Sequence, residues 1–190
     1  MRNTTAWSRS SLVLAAYGGL AAVAVTVAAL RGDGNIYVSE ANRAWWRSVL
    51  SPLVGLAFGL LVVLATRAAT HRFDWVRRLH RDFRGLLGEV SERDIFIIAL
   101  ASSIGEELLF RGALMPVLGF WLSSGLFALL HIGPGVRFLP WTLSALIMGL
   151  AFATMARFMG DLGGPIVAHF TINFLNLGHI VRNDFPVDRA

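Results

Sequence analysis

The sequence predicts an all-α, polytopic transmembrane helix bundle: about six membrane helices plus one amphipathic helix lying on the cytoplasmic surface. Three observations carry this expectation. The 190 residues are 55% hydrophobic and 15% charged, with a mean hydropathy of +0.61, too apolar for an ordinary soluble domain. Uncharged apolar runs recur along the chain, several of them long enough to cross about 30 Å of hydrocarbon. All 17 basic residues are arginine, and they gather in alternate connections, as orientation in a membrane requires. The length suits one domain, so 1–190 reads as a single membrane unit.

The first run, Leu12–Leu30, follows a polar start holding Arg2 and Arg9. It resembles a signal peptide, but its length suits an uncleaved first helix over 11–30. The second run, 49–66, contains Gly55 and Gly59, a GxxxG spacing that lets another helix approach closely. A basic segment over 67–94 follows. In it Phe73, Val76, Leu79, Phe83, Leu86 or Leu87, and Val90 recur at helical spacing, with Arg77, Arg78, Arg81 and Arg84 on the other faces. That pattern describes an amphipathic helix on the cytoplasmic leaflet, in contact with anionic lipid. The third and fourth runs, 95–118 and 119–132, adjoin, and the fourth is short. Gly133-Pro134-Gly135 breaks the chain, the fifth run covers 138–158, and Gly163-Gly164-Pro165 opens the sixth, 163–181.

With the N-terminus inside, twelve arginines fall in inside connections. Four (Arg31, Arg43, Arg47 and Arg157) fall outside, and Arg111 lies within a span. Both termini are therefore expected in the cytoplasm of a bacterial or archaeal inner (plasma) membrane. The net charge of +5 is read as orientation, because no basic stripe interleaved with aromatics marks a nucleic-acid partner. The absence of cysteine excludes disulfides, a cysteine nucleophile and thiolate metal ligands.

Three ionisable residues interrupt the third run: Glu106, Glu107 and Arg111. A charge near the bilayer centre costs about 2.5–3.5 kcal/mol on insertion scales, so such groups need partners or a wet cavity. Glu107 and Arg111 are four apart and meet on one helix face. Glu106 is turned about 100° away and lacks a local partner. Two more polar pairs sit in apolar runs at the same spacing: Phe127 with His131, and His169 with Asn173. At 1.5 Å rise per residue, Glu106, His131 and His169 fall within about 9 Å of one another in depth. A carboxylate, two imidazoles and a carboxamide on three helices can activate water and stabilise an oxyanion. Glu106, His131 and His169 would hold zinc whose bound water attacks, or Glu106 would deprotonate water directly while His169 and Asn173 stabilise the intermediate. Each pair also has a purely architectural reading, with Asn173 and Asn176 as polar glue between helices.

"EELLFR", "FALLH" and "HFTIN" match the patterns EExxxR, FxxxH and HxxxN, in that order. Together they resemble the CPBP family of intramembrane proteases, which includes CAAX-processing and bacteriocin-processing members. The resemblance covers 95–181 as a catalytic core. It implies Glu106 as the catalytic glutamate, His131, His169 and Asn173 completing the site, and Glu107, Arg111 and Phe127 as structural support. It also implies either a metallopeptidase with zinc or a metal-free glutamate mechanism. The substrate would be a membrane-associated protein or peptide: a prenylated C-terminal tail, a peptide precursor or a sorting tail. Family members often have eight helices, against six here.

Other intramembrane chemistries fit less well. No HExxH is present, and Asp161 is a lone aspartate near a helix end. A rhomboid-like serine protease would use Ser124 with a histidine, but it leaves the glutamates without a role. A non-proteolytic scaffold or immunity protein of the same fold is the non-enzyme alternative. A transporter would show paired halves, which the sequence lacks.

Overall fold

The computed structural model describes residues 8–39 and 44–186. Arg2, Arg43 and Arg189, which entered the orientation count, lie outside the described residues. Among the described residues, seven α-helices form the bundle: α1 (Arg9–Leu30), α2 (Trp46–Arg72), α3 (Asp74–Leu87), α4 (Glu92–Glu107), α5 (Met115–Leu129), α6 (Leu139–Met159) and α7 (Gly163–Arg182). A π-helical stretch, Leu108–Leu114, joins α4 to α5, and a short 3-10 turn, Val136–Phe138, precedes α6. Extended pairing among the described residues is limited to one bridge, Val38 with Asp161.

Helix starts are written locally. Ser8 caps α1 by accepting from the Ser11 amide. Ser91 and Asp94 form a reciprocal capping box at α4, whose first turn also carries Glu92. Both devices satisfy orphan amides, and at α4 the acids of the first turn also place negative charge at the positive end of the helix dipole.

All six apolar runs are helical, although fewer than six of the helical stretches among the described residues are individually long and apolar enough to cross. Among the described residues, four helical stretches are long and apolar enough to cross: Arg9–Leu30, Trp46–Arg72, Glu92–Leu129 and Val136–Met159. Two causes account for the difference. The third and fourth runs form one helical stretch broken at Gly119 (φ 82, ψ 172), a left-handed conformation that glycine adopts without steric cost. The chain reverses there, and the Ser123 hydroxyl donates to the Phe110 carbonyl at 2.7 Å. The limb after Gly119 is about 15 Å long, a half-span folded back on the π-helical stretch. The sixth run, α7, is less apolar because it carries His169, Asn173, Asn176 and His179. It lies against α2 and α4, so those groups face other helices.

The contact of α2 with α7 uses the expected glycines. A Cβ on Gly55 would lie 2.2 Å from the Gly164 carbonyl oxygen, and one on Gly59 2.9 Å from Thr171 Cβ. Backbone therefore meets backbone, the geometry that small-residue spacing permits. Within the basic segment 67–94 the amphipathic helix occupies Asp74–Leu87. The segment's first residues belong to α2, where Arg67 donates to Asn176 Oδ1 (3.0 Å) and the Leu175 carbonyl (2.7 Å). The amphipathic helix itself is α3, with Val76 and His80 buried and Trp75 and Leu86 exposed.

The two ends of the bundle are distinct. At one end Arg9 donates to the Leu87 and Glu89 carbonyls (2.8 and 3.1 Å), Ser10 bonds Asp94, Arg182 Nε bonds Glu92 (2.6 Å), and α3 packs beneath. At the other, Arg31 donates to the Gly112 and Ala113 carbonyls, and Ser51 Oγ bonds Asp161 and the Gly164 amide.

Candidate active site

Antiparallel packing of α4 on α7 sets the register of the site. Glu106 comes level with His169, and one turn away Ser102 comes level with Asn173. Asn173 Nδ2 donates to Ser102 Oγ at 3.0 Å. Glu106 Oε2 lies 3.7 Å from His131 Nε2 and 4.0 Å from His169 Nε2. The structure thus brings Glu106, His131 and His169 together from three helices. Asn173 stands in the adjoining layer, held by Ser102.

The pair Glu107–Arg111 is present at 3.0 Å and does more than neutralise itself. Glu107 Oε1 also receives His169 Nδ1 at 2.8 Å. Arg111 donates its second branch to the Gly149 carbonyl at 3.0 Å and lies over the Phe127 ring, 4.3 Å from its centroid, a cation–π seat away from water. Phe127 supports the site twice. Its ring packs against His131 with centroids 4.5 Å apart, and its carbonyl contacts His131 Nδ1 at 2.7 Å. His169 is stacked on Phe152 at 5.3 Å.

These contacts fix both imidazole tautomers. A carbonyl only accepts, so His131 Nδ1 carries the proton. An ionised carboxylate only accepts, so His169 Nδ1 carries it too. In each neutral ring the Nε2 lone pair then points toward Glu106 Oε2, a buried atom with no hydrogen-bond partner. Three acceptors facing one another require a donor among them: a water, a shared proton or a cation. That donor set suits a divalent ion chemically. As the side chains stand, no group of three His, Cys, Asp or Glu among the described residues forms a metal-holding cluster.

Exposure runs one way through the site. The Glu106 and His131 side chains are 10% and 18% exposed, whereas those of Glu107 and Arg111 are 0% and 1%. The site therefore opens past His131, toward Trp141 and the end where α3 lies, and is sealed by the Glu107–Arg111 pair. A cavity of about 890 Å³ at the opposite end is lined by Arg31, Tyr37, Arg111 and Arg157, among others, but by neither Glu106 nor the histidines.

The π-helical stretch is part of this architecture. The Met115 amide donates to the Phe110 carbonyl five residues back, and the wide turn leaves carbonyls short of backbone donors. Arg31 donates to the Gly112 and Ala113 carbonyls, and Ser123 adds a second donor to the Phe110 carbonyl. Three contributors have no signature in the sequence. Ser102 is an ordinary serine in an apolar run. Tyr17 of α1 packs on Gly105, where an added Cβ would lie 2.9 Å from its carbonyl, and its hydroxyl interacts with Glu106. The bond of Glu107 to His169 joins residues 62 apart. The serine alternative loses its geometry, because Ser124 Oγ donates back to the Phe120 carbonyl at 2.8 Å.

Residues 93–175 match the family described as type II CAAX prenyl endopeptidase Rce1-like, over the segment that carries the three motifs. The segment holds Glu106, Glu107, Arg111, Phe127, His131, His169 and Asn173, while α1 to α3 lie before it. The uncharacterized protein YpbD of Bacillus subtilis (strain 168) is 30% identical over 125 residues, covering 63% of this chain and 63% of its own length. The chain thus spans less than two thirds of that relative. No solved structure matches.

Proposed function

We propose that this membrane protein is an intramembrane endopeptidase that hydrolyses a peptide bond near the end of a membrane-associated protein or peptide. The observation that carries the reading is the convergence of Glu106 Oε2 with two histidine nitrogens whose other ring positions are already engaged. A water placed there donates to Glu106 and to one imidazole. Glu106 takes its proton as the oxygen attacks the scissile carbonyl, and passes it to the departing amine. Asn173 has a second Nδ2 hydrogen beyond the one given to Ser102, which is free to stabilise the developing oxyanion. Glu107 and Arg111 act one step back: Glu107 holds the His169 tautomer, and Arg111 balances Glu107 in a dry environment.

Zinc remains a proposal for the same atoms. Held by Glu106, His131 and His169, it would supply a Lewis acid and acidify its water. The Rce1-like match supports CAAX-type processing as the substrate class, with the active site entered from the α3 end in the cytoplasm. A scaffold reading gives the three facing acceptors no task.

The test is cleavage of a membrane-embedded reporter by wild type and Glu106→Gln, normalised to folded protein. The substitution removes the base and a buried charge while keeping shape. Folding is expected to be preserved or improved, with turnover down by about 10²–10⁴-fold. Full activity of the variant would overturn the assignment. Wild type assayed at substoichiometric metal, with a strong chelator, separates the two chemistries: retained cleavage overturns zinc.

A further inference from the structure

The amphipathic helix α3 does two things that nothing in the catalytic geometry requires of one element. Its outward side exposes Trp75 and Leu86 together with Arg78, and Arg72 and Arg81 flank it. Among the described residues none of these three guanidinia has an ion pair: Arg72 lies over the Phe73 ring at 5.6 Å, and Arg81 donates only to the Phe185 carbonyl, at 2.7 Å. Asp74 is taken by Arg77, which leaves Asp82 as the other acid on the helix. Exposed tryptophan and leucine beside uncompensated arginines suit the headgroup layer of an anionic bilayer. The opposite side of α3 reaches the mouth of the site. Phe83 packs edge-on against Phe138 (5.1 Å) and Trp141 (5.0 Å). Trp141 packs against His131 at 5.3 Å, and His131 Nε2 is 3.7 Å from Glu106.

We infer that anionic phospholipid headgroups bind the Arg72–Arg78–Arg81 side of α3 and, through Phe83 and Trp141, set the position of the wall beside His131. The inference deepens the protease reading, since the wall it moves is the entrance of that site. The backbone allows such movement as a unit. Phe73 is extended between α2 and α3, and Gly88 ends α3 at φ 61, so a break lies at each end. Lipid that favours the seated helix over the lifted one shifts that equilibrium by its differential affinity alone. Spatial succession of rings is not coupling in itself, so the experiment reads each step separately.

Full-length protein is reconstituted in vesicles of phosphatidylcholine alone or with about 30 mol% phosphatidylglycerol. Amide hydrogen exchange is followed over 74–87 and over 136–142, with reporter cleavage measured in parallel. Phosphatidylglycerol is expected to slow exchange in both segments of wild type. Arg72→Gln with Arg78→Gln should weaken the lipid preference roughly 30-fold, from about fivefold per arginine, while cleavage in phosphatidylcholine stays at the wild-type rate. Phe83→Ala should keep the lipid-dependent protection of 74–87 and lose that of 136–142. Equal protection of 74–87 in both membranes overturns the lipid site. Lipid-dependent protection of 136–142 that survives Phe83→Ala overturns the route. Both protections without cleavage in any membrane support the lipid site and overturn the protease reading instead.

Discussion

Arg111 places a guanidinium in the dry centre of the bundle, and its removal exposes what it compensates. Arg111→Ala leaves Glu107 buried with only His169 beside it, at a cost of about 3–5 kcal/mol. Loss of folded protein is expected rather than a clean loss of turnover, read as yield and thermal midpoint in detergent. Normal stability would mean that the pair is not the seal described here. The residue-level site was legible where chemistry repeats within one helix: the four-residue spacings gave Glu107 with Arg111, Phe127 with His131, and His169 with Asn173. Partners across helices were not legible. Ser102, Tyr17 and the contact of Glu107 with His169 depend on how far one helix slides along another, and neither composition nor periodicity encodes that distance.

At the scale of elements, the packing of α2 on α7 and the seating of α3 make separate predictions. Gly55→Ala drives a methyl into the Gly164 carbonyl, and such overpacking costs about 1–3 kcal/mol. Gly18→Ala in α1 meets nothing within 4 Å and serves as the matched control. Thermal stability should fall for the first and hold for the second. On α3, His80 is buried against the Phe185 ring at 5.0 Å. Burial first, then the positive charge of His179 and Arg67, push its pKa down to about 4 from the ordinary 6.5. The neutral form is favoured by folding, so its contribution is fully present above 6.5 and is lost as pH falls from there toward 4. The slope is at most about 1.4 kcal/mol per pH unit. Amide exchange over 80–86 should accelerate across that window, and His80→Phe should flatten the dependence. The amphipathic pattern of α3 was plain in the sequence because one helix face repeats. The reversal at Gly119 was not: the boundary between the third and fourth runs fell at that residue, but a run length does not say that the next limb turns back.

For the whole molecule, the arginines divide between the two ends of the bundle. The start of α1, the end of α7 and all of α3 share one end, and Arg31, Arg47 and Arg157 lie toward the other. Reporter fusions after Ala190 should therefore be active only on the cytoplasmic side, and exclusive periplasmic activity would overturn the orientation. The bundle class was legible from composition. The path of the fourth run was not, because hydropathy does not distinguish a folded-back half-helix from a full crossing.

The wide turn at Leu108–Leu114 holds one more residue than an α-helix would use over the same rise. Everything after it, including the limb that carries His131, is indexed by that surplus. Removing a single residue there would let the stretch tighten and swing the following limb by about 100°, turning His131 away from Glu106. EELLFR would survive a deletion at Leu114, and FALLH and HFTIN would be untouched. Such a chain would spell all three motifs correctly and still lack a site, because what they specify is held in a phase of rotation that the letters do not record.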